Sequence, residues 1–301
     1  MLAFCHIYKT AGTTFTTLLR RHFGLRHFDR PGFRERPLSA HHLRRIQWVY
    51  PTLHSIGGHP VRPYADLEDA RPDTRYYTFL RDPLARSISH LTWYLRWKAN
   101  DGVFFDDFPA LLRDWARAPE NRNLQCRHLA REATADAARA TFERLPFLAL
   151  RVRHFDASLF LFRHWAGESD MDLRYCPRNT AADPYERLKD SAPGYLERVR
   201  AFRERLRTDK PLRETLREAN REDQRLVEWV DAELWPRQVE AYPGDLDRDV
   251  ARFQEENQHT PGEAATEPAL PRLYRNAVFK PLRPLLLPSG EPPEVEASPW
   301  L

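Results

Sequence analysis

Lys9, Thr10, Gly12, Thr13 and Thr14 place one cation, one glycine and three hydroxyls within six consecutive residues. That combination is built for an anion. Lys9 brings a full charge, the threonines bring donors, and Gly12 lets the backbone turn tightly and approach a ligand. Unpaired N–H groups and the dipole of a helix starting at the loop would add to the attraction. A second group, Arg81 and Ser89, is spaced so that an arginine and a hydroxyl two helical turns on can reach one phosphate. Between the two groups His59 follows Gly57 and Gly58, so the backbone can bring an imidazole close to a substrate. Imidazole titrates near neutrality and suits general-base work.

These residues need elements to hold them. Leu2 to Ile7 is a short apolar run of strand type, and Phe15, Leu18, Leu19 and Phe23 carry the spacing of a half-buried helix over 14–23. The strand, loop and helix are P-loop-like without being a Walker A motif, in which Lys-Ser/Thr follows the glycines; here Lys-Thr precedes Gly12. Tyr76 to Leu80 is a second strand, rich in aromatic and β-branched residues, that runs directly into Arg81. Asp82 suits the N-cap of the next helix and Pro83 its first turn. Leu84, Ile88, Leu91 and Leu95 form its apolar stripe; Arg86, Ser89, His90, Trp93 and Trp97 lie on other faces.

The remaining pattern alternates. Asp29 to Pro37 reads as a Pro/Arg-rich loop, 39–49 as a helix, and a strand near Leu53–Ile56 ends in Gly57-Gly58-His59. Helices are expected near 104–117, 120–130 and 133–143, a strand over Pro146 to Val152, and a helix over 154–166. Strands alternating with helices predict an α/β, P-loop-like three-layer fold with a mostly parallel central sheet. Ligands in such sheets sit beyond the carboxyl ends of the strands. The anion loop, His59 and Arg81 are expected on that edge, and His54 beside His59. Residues 184–258 read as helical. The expected domain spans 1–258, followed by a Pro/Glu-rich tail over 259–301, partly disordered, in which the apolar and basic stretch Leu273 to Leu287 docks on the domain.

Composition narrows the classes. Of 47 Lys plus Arg only five are Lys, which leaves 42 Arg, a supply of planar forks for phosphate or sulfate. The net charge of +4 is mild, no aromatic-basic motif is visible, and no nucleic-acid partner is expected. Cys5, Cys126 and Cys176 are odd in number and far apart, which suits reduced thiols in the cytoplasm. With no CxxC or HExxH, no metal is expected.

Lys9-Thr10-Ala11-Gly12-Thr13-Thr14 and Arg81-Asp82-Pro83-x-x-Arg86-x-x-Ser89, in that order, resemble the two cofactor signatures of the sulfotransferases. More narrowly the chain resembles the family 2 carbohydrate sulfotransferases, the group of the heparan sulfate and uronyl 2-O-sulfotransferases and their bacterial relatives, over roughly residues 1 to 240. Asn123-Leu124-Gln125-Cys126-Arg127 is similar to a segment of bacterial members, and Asn220 to Trp235 to their closing helix. The resemblance implies that Lys9, Thr10, Ala11, Gly12, Thr13 and Thr14 hold the phosphosulfate of 3'-phosphoadenosine 5'-phosphosulfate (PAPS). It gives Arg81 and Ser89 the 3'-phosphate, and Gly58-His59 matches the Gly-His of the family's proposed base. It also suggests Arg178 in a basic loop over the nucleotide.

Sulfuryl transfer needs no metal, because the transferred group carries little charge; Lys9 would hold charge developing on the leaving oxygen. The acceptor is a hydroxyl, expected on a saccharide or glycoconjugate. Gln125, Arg127, Trp93, Tyr94 and Trp97 are candidate acceptor contacts. His54, Glu35 and Glu68 are the alternative bases, and His6 reads as structural. No signal peptide or membrane span is visible, so a soluble bacterial form is expected. Two other readings stay open: a P-loop kinase-like phosphotransferase, and a non-catalytic binder of nucleotide or glycan.

Overall fold

The computed structural model describes residues 1–30, 37–176, 193–258 and 269–286. Among them five strands form one sheet: β1 (Leu2–Cys5), β2 (His27–Arg30), β3 (Ser55–Gly58), β4 (Arg75–Leu80) and β5 (Phe147–Arg151). Their order is β2-β3-β1-β4-β5, and every pairing is parallel. The chain runs out from β1 to the edge strand β2, returns through β3, then crosses to β4 and β5. Strand order therefore reverses at β1, where open α/β sheets bind ligands.

The sheet is apolar on both faces, as buried parallel strands must be. Ala3, Cys5, Ile56, Tyr76 and Ala149 look into one core, with α2 (Ala40–Val49), α5 (Leu124–Ala130), α6 (Ala135–Arg144) and α10 (Arg221–Trp229). Leu2, Phe4, Tyr77, Phe79, Leu148 and Leu150 look into the other, with α1 (Gly12–Phe23), α7 (Phe155–Ala166) and α12 (Leu246–Asn257). The result is a three-layer α/β fold with a P-loop-like order of elements. A third cluster joins α3 (Pro83–Asn100) and α4 (Phe108–Arg117) to α8 (Pro193–Thr208) and α9 (Lys210–Ala219).

Two expectations change. Residues 27–30 are a strand, although the loop was expected to begin at Asp29. Its four residues hold one core side chain, Phe28, so no alternation shows; buried Asp29 is tolerated because Arg20 pairs with it. The strand after α2 starts at Ser55, two residues later than expected. Of the C-terminal region, Ala269–Leu286 is helical and docks as expected of Leu273 to Leu287. Phe279 packs edge-on against Phe28 at 4.7 Å, and Tyr274 donates its hydroxyl to the Val49 carbonyl at 2.5 Å. No described helix is long and apolar enough to cross a membrane.

Candidate anion-binding and catalytic site

The loops after β1, β3 and β4 open on one edge and carry Lys9, His59 and Arg81. The first runs from His6 to Ala11, where α1 begins. Lys9 (φ 65°) and Ala11 (φ 63°) both take left-handed backbone. For non-glycine residues that costs on the order of 1–3 kcal/mol each and is concentrated at functional sites. The tight turn expected of Gly12 thus falls on its neighbours. Gly12 answers a different need, because a Cβ there would lie 1.8 Å from His6 Nε2. The His6 imidazole fills the space beneath the first turn of α1.

That first turn has no side-chain cap and no acidic residue. Its N–H groups and dipole are left to attract an anion. Among the residues expected there, Thr10 differs in part: its buried hydroxyl donates to the Ile7 carbonyl at 2.9 Å, which leaves only its backbone for a ligand. Thr13 is exposed and Thr14 buried. The helix after β4 behaves oppositely. Asp82 caps α3 by accepting from Ala85 N at 2.7 Å, and Pro83 opens it, as expected.

Arg81 links the two motifs. Its Nη1 donates to the Lys9 carbonyl at 3.0 Å, so the strand β4 end holds the anion loop. Its peptide is gripped on both sides by Gln125, whose Oε1 accepts from Arg81 N and whose Nε2 donates to Arg81 O, both at 3.0 Å. Asp223 anchors that grip by accepting from Gln125 N at 3.0 Å and Cys126 N at 2.9 Å. Gln125 is fully buried, so it is not an acceptor contact as expected but a clamp on Arg81. Ser89 is half-buried two turns into α3, and its hydroxyl takes no partner among the described residues.

Cations predominate around Lys9. Lys9 and Arg81 are in no ion pair among the described residues. Burial pushes the Lys9 ammonium down to about 8, helped by Arg81, Arg96 and Arg203 nearby. Arg96 lies on the α3 face of Ser89, and Arg203 comes from α8 with a buried, unpartnered Nε. Both escaped the sequence analysis. The i, i+4, i+7 spacing of Ser89, Trp93 and Arg96 could have shown the first; nothing marks Arg203 among so many arginines.

His59 follows Gly58, whose φ of 134° requires glycine. Its ring is stacked between His6 (centroids 4.2 Å) and Tyr8 (3.8 Å). Its Nδ1 is 2.7 Å from the His6 carbonyl. A carbonyl only accepts, so Nδ1 carries the proton and Nε2 keeps the lone pair. Burial, then the His6 and Arg62 charges, hold its pKa well below 6.5, rather than near neutrality as expected. His6, expected as structural, orients this base and is itself held down to about 4 by burial.

Three alternatives to His59 fare differently. His54 precedes β3 and sits at its amino end, where Nε2 is 2.9 Å from Glu168 Oε1; it is not beside His59. Glu68 accepts from the Tyr76 hydroxyl at 2.5 Å, near the amino end of β4, also away from the loops. Glu35 lies outside the described residues, as does Arg178. Trp93 and Trp97 are half-buried and parallel, 5.6 Å apart with 4° between planes, and Lys9 Nζ is 5.8 Å from the Trp93 ring centre. Tyr94 is buried, with Lys98 Nζ 5.6 Å from its ring centre. The described Arg127 has a buried, unpartnered Nε.

Residues 1–236 match the Sulfotransferase family. No curated protein matches the chain. Sulfotransferases generally take PAPS as their sulfuryl donor.

Proposed function

The chain belongs to family 2 of the sulfotransferases, which includes carbohydrate sulfotransferases, and from that premise we propose that it transfers the sulfuryl group of PAPS to a hydroxyl of a saccharide or glycoconjugate. One observation carries the reading. An uncapped helix N-terminus, with a lysine and an arginine that are in no ion pair among the described residues, meets a neutral, oriented imidazole at one sheet edge. In this reading Lys9, Ala11, Gly12, Thr13, Thr14 and the Thr10 backbone receive the 5'-phosphosulfate. Arg81 and Ser89 receive the 3'-phosphate, with Arg203 as a further cation.

His59 Nε2 takes the acceptor's hydroxyl proton as the acceptor oxygen bonds to sulfur. The bond from sulfur to the 5'-phosphate oxygen breaks, and its electron pair stays on that oxygen. Lys9 and the α1 N–H groups stabilise the charge formed there, as preorganised donors do. The low pKa of His59 keeps the base form present before reaction. Negative charge on the bound nucleotide then favours the imidazolium as it forms. The flat faces of Trp93 and Trp97 beside Lys9 suit a sugar ring. Cys5, Cys126 and Cys176 form no disulfide among the described residues, which suits a reducing compartment such as the cytoplasm.

Calorimetry with 3'-phosphoadenosine 5'-phosphate in EDTA tests the core of this reading. Binding is expected without metal. Tighter binding of ATP with Mg²⁺ would favour a phosphotransferase instead. Turnover of PAPS against a panel of saccharides tests the acceptor class.

A further inference from the structure

We propose that His22, His54, Glu168 and Asp170 form a site for a divalent transition metal of zinc type, at the amino edge of the sheet. Three distant segments meet there: the last turn of α1, the residue before β3 and the turn after α7. His22 Nε2 lies 2.8 Å from Glu168 Oε2, and His54 Nε2 lies 2.9 Å from Glu168 Oε1. Asp170 Oδ1 is 4.0 Å from His22 Nε2, and the ligand atoms of His22, Glu168 and Asp170 all lie within 4.8 Å of one another. A tetrahedral ion with arms of about 2.0–2.1 Å holds its donors roughly 3.3 Å apart, inside that spread. Small side-chain shifts would open the pair distances to fit.

Charge argues for a cation as well. Three other carboxylates that are largely out of water take guanidinium partners: Asp29 takes Arg20, Asp231 takes Arg151 and Glu222 takes Arg225. Glu168 is only 14% exposed, yet no Arg or Lys pairs with it or with Asp170 among the described residues. Its two oxygens each meet an imidazole nitrogen instead. Each Nε2 at hydrogen-bond distance from a Glu168 oxygen carries a proton that metal binding displaces, and the two carboxylates then supply two negative charges, which one divalent ion cancels. A mixed nitrogen and oxygen donor set of this kind suits Zn²⁺. The ligands are spread from residue 22 to 170, so no short metal motif announces them. The site lies at the opposite end of β3 from His59, so its role is to tie three segments together. Metal binding there adds to folding stability.

The test starts from protein stripped with a chelator, incubated with Zn²⁺ and passed through gel filtration. About one Zn²⁺ per chain should be retained, with a raised Tm. Co²⁺ in its place should give the visible absorption of a tetrahedral complex. Glu168→Gln combined with Asp170→Asn should cut retention at least about tenfold, the low end of what losing even a partner of a metal ligand costs. His54→Ala alone, at a half-exposed position, gives a second reading should the double variant not fold. Cys176→Ser should retain the metal. Failure of the native chain to keep Zn²⁺ overturns the proposal. So does equal retention by both ligand variants, or loss in Cys176→Ser, which would place the metal elsewhere.

Discussion

β3 is four residues long and has a histidine at each end. His54 and His59 are the same residue type, roughly 16 Å apart at about 3.3 Å per residue. His54 meets a carboxylate, on an edge where Glu168 lies between two imidazoles. His59 meets a backbone carbonyl and two aromatic rings, on an edge where Lys9 and Arg81 are in no ion pair among the described residues. Strand direction makes the difference. In a parallel sheet every carboxyl end faces the same way, so loops of several strands gather there and leave room for a ligand. The amino ends lie on the opposite edge, where His54 and Glu168 meet each other.

The largest effect expected on this contrast is His59→Ala. Loss of a general base should lower turnover of a hydroxyl acceptor by about 10²–10⁴-fold. Nucleotide affinity, measured by calorimetry, should stay nearly unchanged. Turnover within about threefold of the native protein, with chemistry rate-limiting, would remove His59 from the mechanism.

Arg81→Ala comes next. It should weaken 3'-phosphoadenosine 5'-phosphate by roughly 1.5–3 kcal/mol, the range for one hydrogen bond to a charged group. Adenosine 5'-phosphosulfate, which lacks the 3'-phosphate, should lose only about 0.5–1.5 kcal/mol, from the bond between Arg81 and the Lys9 carbonyl. Equal losses on the two ligands would make Arg81 only a support for the loop.

Why one edge was readable and the other was not follows from the same geometry. Lys9 to Thr14, Gly58-His59 and Arg81 with Ser89 each sit just after a strand, in short segments whose glycines, cap and proline mark the turn. A linear reading finds such groups. His6 acts on His59 through its main-chain carbonyl, which no residue type reveals. Gln125 stands in a segment similar to bacterial relatives, but its task is a buried clamp on Arg81, and burial is a product of the fold. β2 hides because a four-residue strand with one core side chain has no periodicity to detect. His22, His54 and Glu168 come together only when α1, β3 and α7 are packed.

A smaller, graded effect comes from pH. His59 is held well below 6.5, so its base form is complete at neutrality. Lys9 is held at about 8 by burial and by neighbouring cations, so it loses its charge just above neutrality. The rate per donor concentration, kcat/KM for PAPS, reports groups of the free protein. It should be level between about 6.5 and 7, fall only well below 6.5 on the acid side, and on the alkaline side be about half lost near 8 as Lys9 deprotonates. Lys9→Arg should keep the acid limb and abolish the alkaline one, since guanidinium stays charged. An alkaline limb that survives in that variant would belong to another group.

The smallest effect belongs to His54→Ala, and it is the sharpest check on the comparison. If position on the strand decides the role, this substitution should leave kcat within about twofold, far from the range of a lost base. Nucleotide affinity should not move either, because Glu168 and His54 lie at the far end of β3 from the anion loop. What should change is stability. The side chain is 41% exposed, so its hydrogen bond to Glu168 is partly screened and its loss should cost no more than about 0.5–1.5 kcal/mol. A urea midpoint that falls slightly while kcat holds would separate the two histidines by function. A tenfold loss of kcat with unchanged stability would mean that the amino end reaches the chemistry, and the division between the edges would fail.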